Sequence, residues 1–135
     1  MSKSLIQLAN TSTQAIEENG IISLGNIIRR YGCDCQLVGN TVSLNSEGYY
    51  EVDAAVTVVP TEAGVVTVTL YEDGVAVPGA VSSMYATTAA QPVTIPIVTT
   101  IRRFCNCCSG PANLSLVLES GAGNVTNVSL RVKKS

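Results

Sequence analysis

The residues with chemistry to offer are five cysteines in two tight groups, Cys33-Asp34-Cys35 and Cys105-Asn106-Cys107-Cys108. Each group follows a similar tetrad, Ile28-Arg29-Arg30-Tyr31 and Ile101-Arg102-Arg103-Phe104, so two strands with the same ending are predicted to run into cysteine-bearing loops. If those ends lie side by side, four or five sulfurs converge, and three outcomes compete. Disulfides would close a loop of about 70 residues and stabilise the fold by roughly 4 kcal/mol through lost chain entropy. A thiolate metal site on Cys33, Cys35, Cys105, Cys107 and Cys108 fits less well, because structural zinc knuckles usually space paired cysteines by about two to four residues. Reduced, individually buried thiols are the third outcome, and the odd fifth cysteine has no assignment.

The paired arginines before each group can grip a carboxylate or phosphate. Salt bridges to a neighbouring Glu or Asp, across protomers if the chain assembles, are the expected use. Glu51 and Asp53 share one face of a predicted strand at about 7 Å, a spacing open to an acid pair or a cation. Nothing around them argues for a raised pKa, so a solvated face is the expectation. The chain has no histidine, which removes Ser-His-Asp and Cys-His catalysis and histidine metal ligation. Gly121-Ala122-Gly123 lacks the Lys-Ser/Thr and the helix of a phosphate-binding loop. No enzyme, resident metal or cofactor is expected.

Composition narrows the class further. A chain of 135 residues fits one domain able to bury roughly two-thirds of its unfolded surface. Its 46% apolar content is carried mainly by Val, Ile, Leu and Ala, with one Phe and no Trp, which is strand-forming material. Net charge is −2, and the basic residues come in scattered pairs rather than a stripe, so nucleic-acid binding is not expected. Apolar runs are too short for membrane insertion, and Met1-Ser2-Lys3-Ser4 opens no apolar signal core. Asn-x-Ser/Thr triplets at Asn10, Asn113, Asn124 and Asn127 are read as products of a Ser/Thr/Asn-rich strand and turn composition.

The elements that must position these groups read as strands. Gly48 to Val59 has the cleanest period of two, with Tyr50, Val52, Ala54, Val56 and Val58 on one face. Gly64 to Glu72 alternates likewise, with Val66, Val68 and Leu70 inward and Val65, Thr67, Thr69 and Tyr71 outward. Glu17 to Gly20, Gly39-Asn40, Asp73-Gly74 and Pro78-Gly79 read as turns. A short helix is conceivable around Thr13 to Glu18. Val93 to Phe104 is a long strand in which Pro96 argues for an edge. About eight to ten short strands, spaced by roughly ten residues, predict an all-β sandwich or jelly roll. Residues 1–13 form a first strand or an attachment arm, and residues 14–135 the jelly-roll domain.

Three segments carry a family resemblance: Gly48-Tyr49-Tyr50, then Leu70-Tyr71-Glu72-Asp73-Gly74-Val75-Ala76-Val77-Pro78-Gly79-Ala80, then Asn127-Val128-Ser129-Leu130-Arg131-Val132. Together they resemble the TNF/C1q-like jelly rolls, in particular the phage and bacterial branch that includes head domains of collagen-like spore-surface proteins. The resemblance covers roughly residues 20 to 134 and implies a homotrimer packed about a three-fold axis. The chain departs from that pattern in having few aromatics and no Gly-X-Y stalk.

These readings combine into a structural virion protein: a homotrimeric phage capsid-decoration or head-fibre protein, made in the host cytoplasm and mounted on a major capsid protein or another virion protein. The alternatives are a receptor- or glycan-binding fibre tip facing a host surface through the Thr87–Gln91 and Gly121–Gly123 loops, and a bacterial spore- or cell-surface module.

Overall fold

A computed structural model describes residues 4–32, 34–103 and 112–134. Twelve strands follow one another: β1 (Ser4–Asn10), β2 (Gln14–Ile16), β3 (Gly20–Ile21), β4 (Asn26–Tyr31), β5 (Cys35–Val38), β6 (Thr41–Leu44), β7 (Gly48–Pro60), β8 (Gly64–Glu72), β9 (Val75–Ala86), β10 (Val93–Arg103), β11 (Ala112–Ser120) and β12 (Gly123–Lys134). They form two sheets. The first runs β10-β7-β12-β1-β4, with β2 also on β12, and the second runs β5-β6-β11-β8-β9, with β3 also on β11. All pairings are antiparallel.

The period-two pattern becomes the core. Tyr50, Val52, Ala54, Val56 and Val58 of β7 are buried, and they meet Val66, Val68 and Leu70 of β8 and Leu114, Leu116 and Leu118 of β11 across the sandwich. Ile6, Leu8, Val128, Leu130 and Val132 complete the first sheet's inner face. Aliphatic side chains fill this space, and Tyr50 is the one fully buried aromatic among the described residues. Thus the all-β jelly-roll sandwich expected from the sequence is the fold observed.

Several local expectations change. The Thr13 to Glu18 segment holds strand β2, because pairing of Gln14, Ala15 and Ile16 with β12 overrides weak helical propensity. Pro78-Gly79 is not a turn between strands: β9 continues through it, and the β8–β9 register jumps from Tyr71–Ala76 to Thr69–Val81. The four residues between form a bulge in which Val77 and Ala80 turn inward. Thr69, expected to face solvent, is fully buried and donates to Glu119 Oε2 at 2.6 Å. Pro96 does sit on an edge strand, opposite Ala55. Ser4–Asn10 is strand β1, held between β12 and β4, with Ile6 and Leu8 fully buried.

Turn chemistry sets the strand ends. Asp73 and Gly74 both adopt positive φ, 52° and 82°, as a two-residue hairpin of matching twist requires. Gly25 (φ 79°) brings the chain into β4 so closely that a Cβ there would sit 2.3 Å from the Ala9 carbonyl oxygen. A Cβ at Gly74 would meet open space. Gly25→Ala combines strain with a backbone clash and is expected to cost about 2 kcal/mol or more, against about 1 kcal/mol for Gly74→Ala. Urea unfolding midpoints of the two variants check the order.

Candidate functional site

The first sheet's outward face is the broadest organised surface, and cross-strand registry lays it out in rows. Pro96, Ala55, Ser129 and Ala9 stand side by side on β10, β7, β12 and β1. Beside them run Val98, Asp53, Arg131, Gln7 and Arg29, then Thr100, Glu51, Lys133, Leu5 and Tyr31. The result is a low strip of small residues with the charged rows on one side and Thr94, Thr57 and Asn127 on the other. Asp53 pairs with Arg131, so the predicted Glu51/Asp53 pair is not a free carboxylate couple: Glu51 lies opposite Lys133 and Asp53 is ion-paired. Arg102 lies over the Tyr49 ring at 5.7 Å, a cation–π contact. Val98, three-quarters exposed, stands at the rim of this face.

A second feature ties one end of the sandwich. Asp34 accepts from Ser46 Oγ at 2.6 Å and from Ser4 Oγ at 2.7 Å, with Lys134 Nζ at 3.5 Å. Lys134 also donates to Ser46 Oγ at 2.9 Å, and Tyr50 Oη donates to the Ser46 carbonyl at 2.8 Å. Hydrogen bonds from Ser46 and Ser4, then the Lys134 charge, hold the Asp34 carboxyl below its usual value near 3.8, against partial burial. This cluster joins the first strand, the last strand and the turn before β7. The sequence places these residues up to 130 positions apart, as between Ser4 and Lys134, so no local pattern announces it.

Of the five cysteines, Cys35 is described. It is 1% exposed and free, and burial with the Asp34 charge nearby pushes its thiol up to about 11. A thiol so held is a poor nucleophile and a poor metal ligand. Cys33, Cys105, Cys107 and Cys108 lie outside the described residues. The strands that bracket 104–111 are described: β10 ends at Arg103 opposite Gly48, and β11 begins at Ala112 opposite Leu44, which also pairs with Cys35. No metal-ligating cluster occurs among the described residues.

At the opposite end, a shallow cleft of about 360 Å³ is lined by Glu18, Thr61, Glu62, Val65, Gly121 and Ala122. It includes part of the Gly121–Gly123 loop singled out from the sequence. The Thr87–Gln91 loop is organised by its own amide: Gln91 Oε1 accepts from the Thr87 and Thr88 amides and the Thr87 hydroxyl. On the second sheet's outer face, Tyr71 Oη donates to Glu119 at 2.6 Å. Hydrogen bonds from Thr69 and Tyr71 lower the Glu119 pKa, and the same carboxylate raises that of Tyr71.

No family model matches the sequence, and no curated protein matches it. Solved structures do. The globular domain of zebrafish complement 1qA protein superposes with a TM-score of 0.69 at 7% identity, over 94% of each chain. Eiger TNF from S. frugiperda gives 0.70 at 7%, over 98% of this chain and 91% of that one. PRD1 vertex protein P5 gives 0.64 at 13%, over 97% and 96%. The chain has the TNF/C1q-like jelly-roll fold, as its three sequence segments suggested.

Two outcomes test the site. The lowered Asp34 pKa gives stability that is fully present above about 3.8 and is lost as pH falls through the folded value. Thermal melts between about pH 5 and pH 2 are therefore expected to show a steeper acid loss in the wild type than in Asp34→Asn, which starts less stable at neutral pH. Iodoacetamide labelling near pH 8 followed by peptide mapping is expected to leave Cys35 unmodified in the native protein and fully modified after denaturation.

Proposed function

Starting from the TNF/C1q-like jelly roll, we propose that this chain is a self-associating structural module: a homotrimeric head that decorates a phage capsid or tips a head fibre, on the virion surface, with a capsid or other virion protein as its mounting partner. The observation that carries this reading is the whole-chain likeness in fold to a complement 1qA globular domain, to a TNF and to a phage vertex protein. The first sheet's outward face supports it physically. A strip of Pro96, Ala55, Ser129 and Ala9 lets another copy approach closely, and Glu51, Asp53, Arg131 and Lys133 on one side of it set register. Interface cores of this kind exclude charge at the centre and keep it at the rim.

A receptor- or glycan-binding tip is the second reading, favoured by the cleft at Gly121 and Ala122. Its carboxylates, Glu18 and Glu62, can accept from hydroxyl groups.

Native mass spectrometry of the wild type is expected to give three times the chain mass. Ala55→Arg places a long cation in the middle of the small-residue strip and is expected to convert the assembly to monomer with an unchanged far-UV CD spectrum. A wild-type monomer at micromolar concentration overturns self-assembly, and a trimeric Ala55→Arg moves the interface off this face.

A further inference from the structure

Strand β4 has a property no other element of comparable length shares: all six residues, Asn26 to Tyr31, are exposed. It is the edge of the first sheet, paired with β1 alone. The sandwich is closed on its other side, where the edges β9 and β10 pack along one another, while β4 and β5 make no such contact strip among the described residues. The free edge of β4 therefore opens to the outside. It contains no proline, lysine or acidic residue, which leaves out most of the usual protection of edges against strand addition.

Its side chains define what fits. Ile28 is the extra residue of a bulge, opposite no β1 residue, and its side chain stands out 54% exposed. Tyr31 is 50% exposed. Between them, Arg29 and Arg30 make no salt bridge among the described residues, unlike Arg131 and Lys134. Ile28 and Tyr31 thus bracket two positive charges, and the ladder spans three of the four residues, Arg29 to Tyr31.

A second copy of β4 is a poor occupant. Antiparallel pairing over Arg29–Tyr31 about a two-fold axis would set Arg30 directly against its own mate, and like charges directly opposite destabilise a ladder. An acidic strand has the reverse effect at each position.

The geometry points to β4 as a strand-addition site for an extended partner segment with two adjacent acidic residues between apolar ones, its backbone pairing along Arg29–Tyr31, its two carboxylates meeting Arg29 and Arg30 on opposite faces of the sheet, and its apolar side chains meeting Ile28 and Tyr31. Main-chain hydrogen bonds supply affinity in this mode and alternate side chains supply selectivity. The inference does not rest on the trimer, since it uses an edge and not the small-residue strip.

The test uses the full chain and an acetylated, amidated heptapeptide with two adjacent glutamates flanked by valine and threonine, titrated by isothermal calorimetry near neutral pH. Saturable binding is expected. Arg29→Glu/Arg30→Glu, with an unchanged melting temperature, is expected to weaken it about tenfold or more, and the same peptide with lysines in place of its two glutamates is expected to bind this variant better than the wild type. The wild type carries a further test that needs no variant: N-methylation of alternate peptide amides is expected to abolish binding if the edge is paired. Equal binding of the N-methylated peptide, equal binding of single-stranded DNA of the same charge, or no binding of the plain peptide at millimolar concentration overturns the assignment. Oligomer mass measured in the same samples separates this result from any failure of the trimer.

Discussion

Two sheet faces made of aliphatic side chains must close on each other, and that constraint governs the rest of the molecule. Val, Leu and Ile from β1, β7, β8, β11 and β12 fill the interior, with Tyr50 as the single fully buried aromatic among the described residues. Among the described residues a core of this composition holds no acid–base pair or ligand set, and the polar groups stand on the two outer faces, the edges and the ends. Tyr50 shows the boundary: its ring lies in the core and its hydroxyl reaches out to the Ser46 carbonyl. A buried tyrosine needs such a partner.

The outer faces then differ in kind. The second sheet satisfies its polar groups internally, as with Thr69, Tyr71 and Glu119, whose hydrogen bonds cross from β8 to β11. The first sheet leaves a flat strip of small side chains with charges beside it, and its edge strand β4 carries Arg29 and Arg30 without a salt bridge among the described residues. One face is self-sufficient and the other is built for company, which is why the functional reading and the strand-addition site both fall on the first sheet.

Much of this was legible because a period of two is a direct statement about burial. Gly48 to Val59 placed five residues inward, and all five are buried. Asp73-Gly74 announced its hairpin through the need for positive φ. Pro78-Gly79 misled for the same reason it is usually informative: the pair does bend the chain, but the ladder resumes beyond it, and local chemistry cannot distinguish a bulge from a reversal. Thr69 was placed outward by parity, correctly, but burial also depends on Glu119 from another strand. The Asp34 cluster was invisible because its members are brought together by topology alone. So was the exposure of β4: nothing in the types of Ile27, Ile28 and Tyr31 marks them as exposed.

The pairing of β1 with β12 has a consequence for how the protein is made. Ser4 lies opposite Lys134, and β12 also forms the other neighbour of β7. The centre of the first sheet therefore leaves the ribosome after the eleven other strands described, and β1 and β7 wait without the strand that joins them. A topology dominated by such distant pairings folds slowly, and during that wait the aliphatic inner faces have no cover. The first sheet is thus expected to form only after β12 has emerged, with β1 and β12 committing to it in one late step.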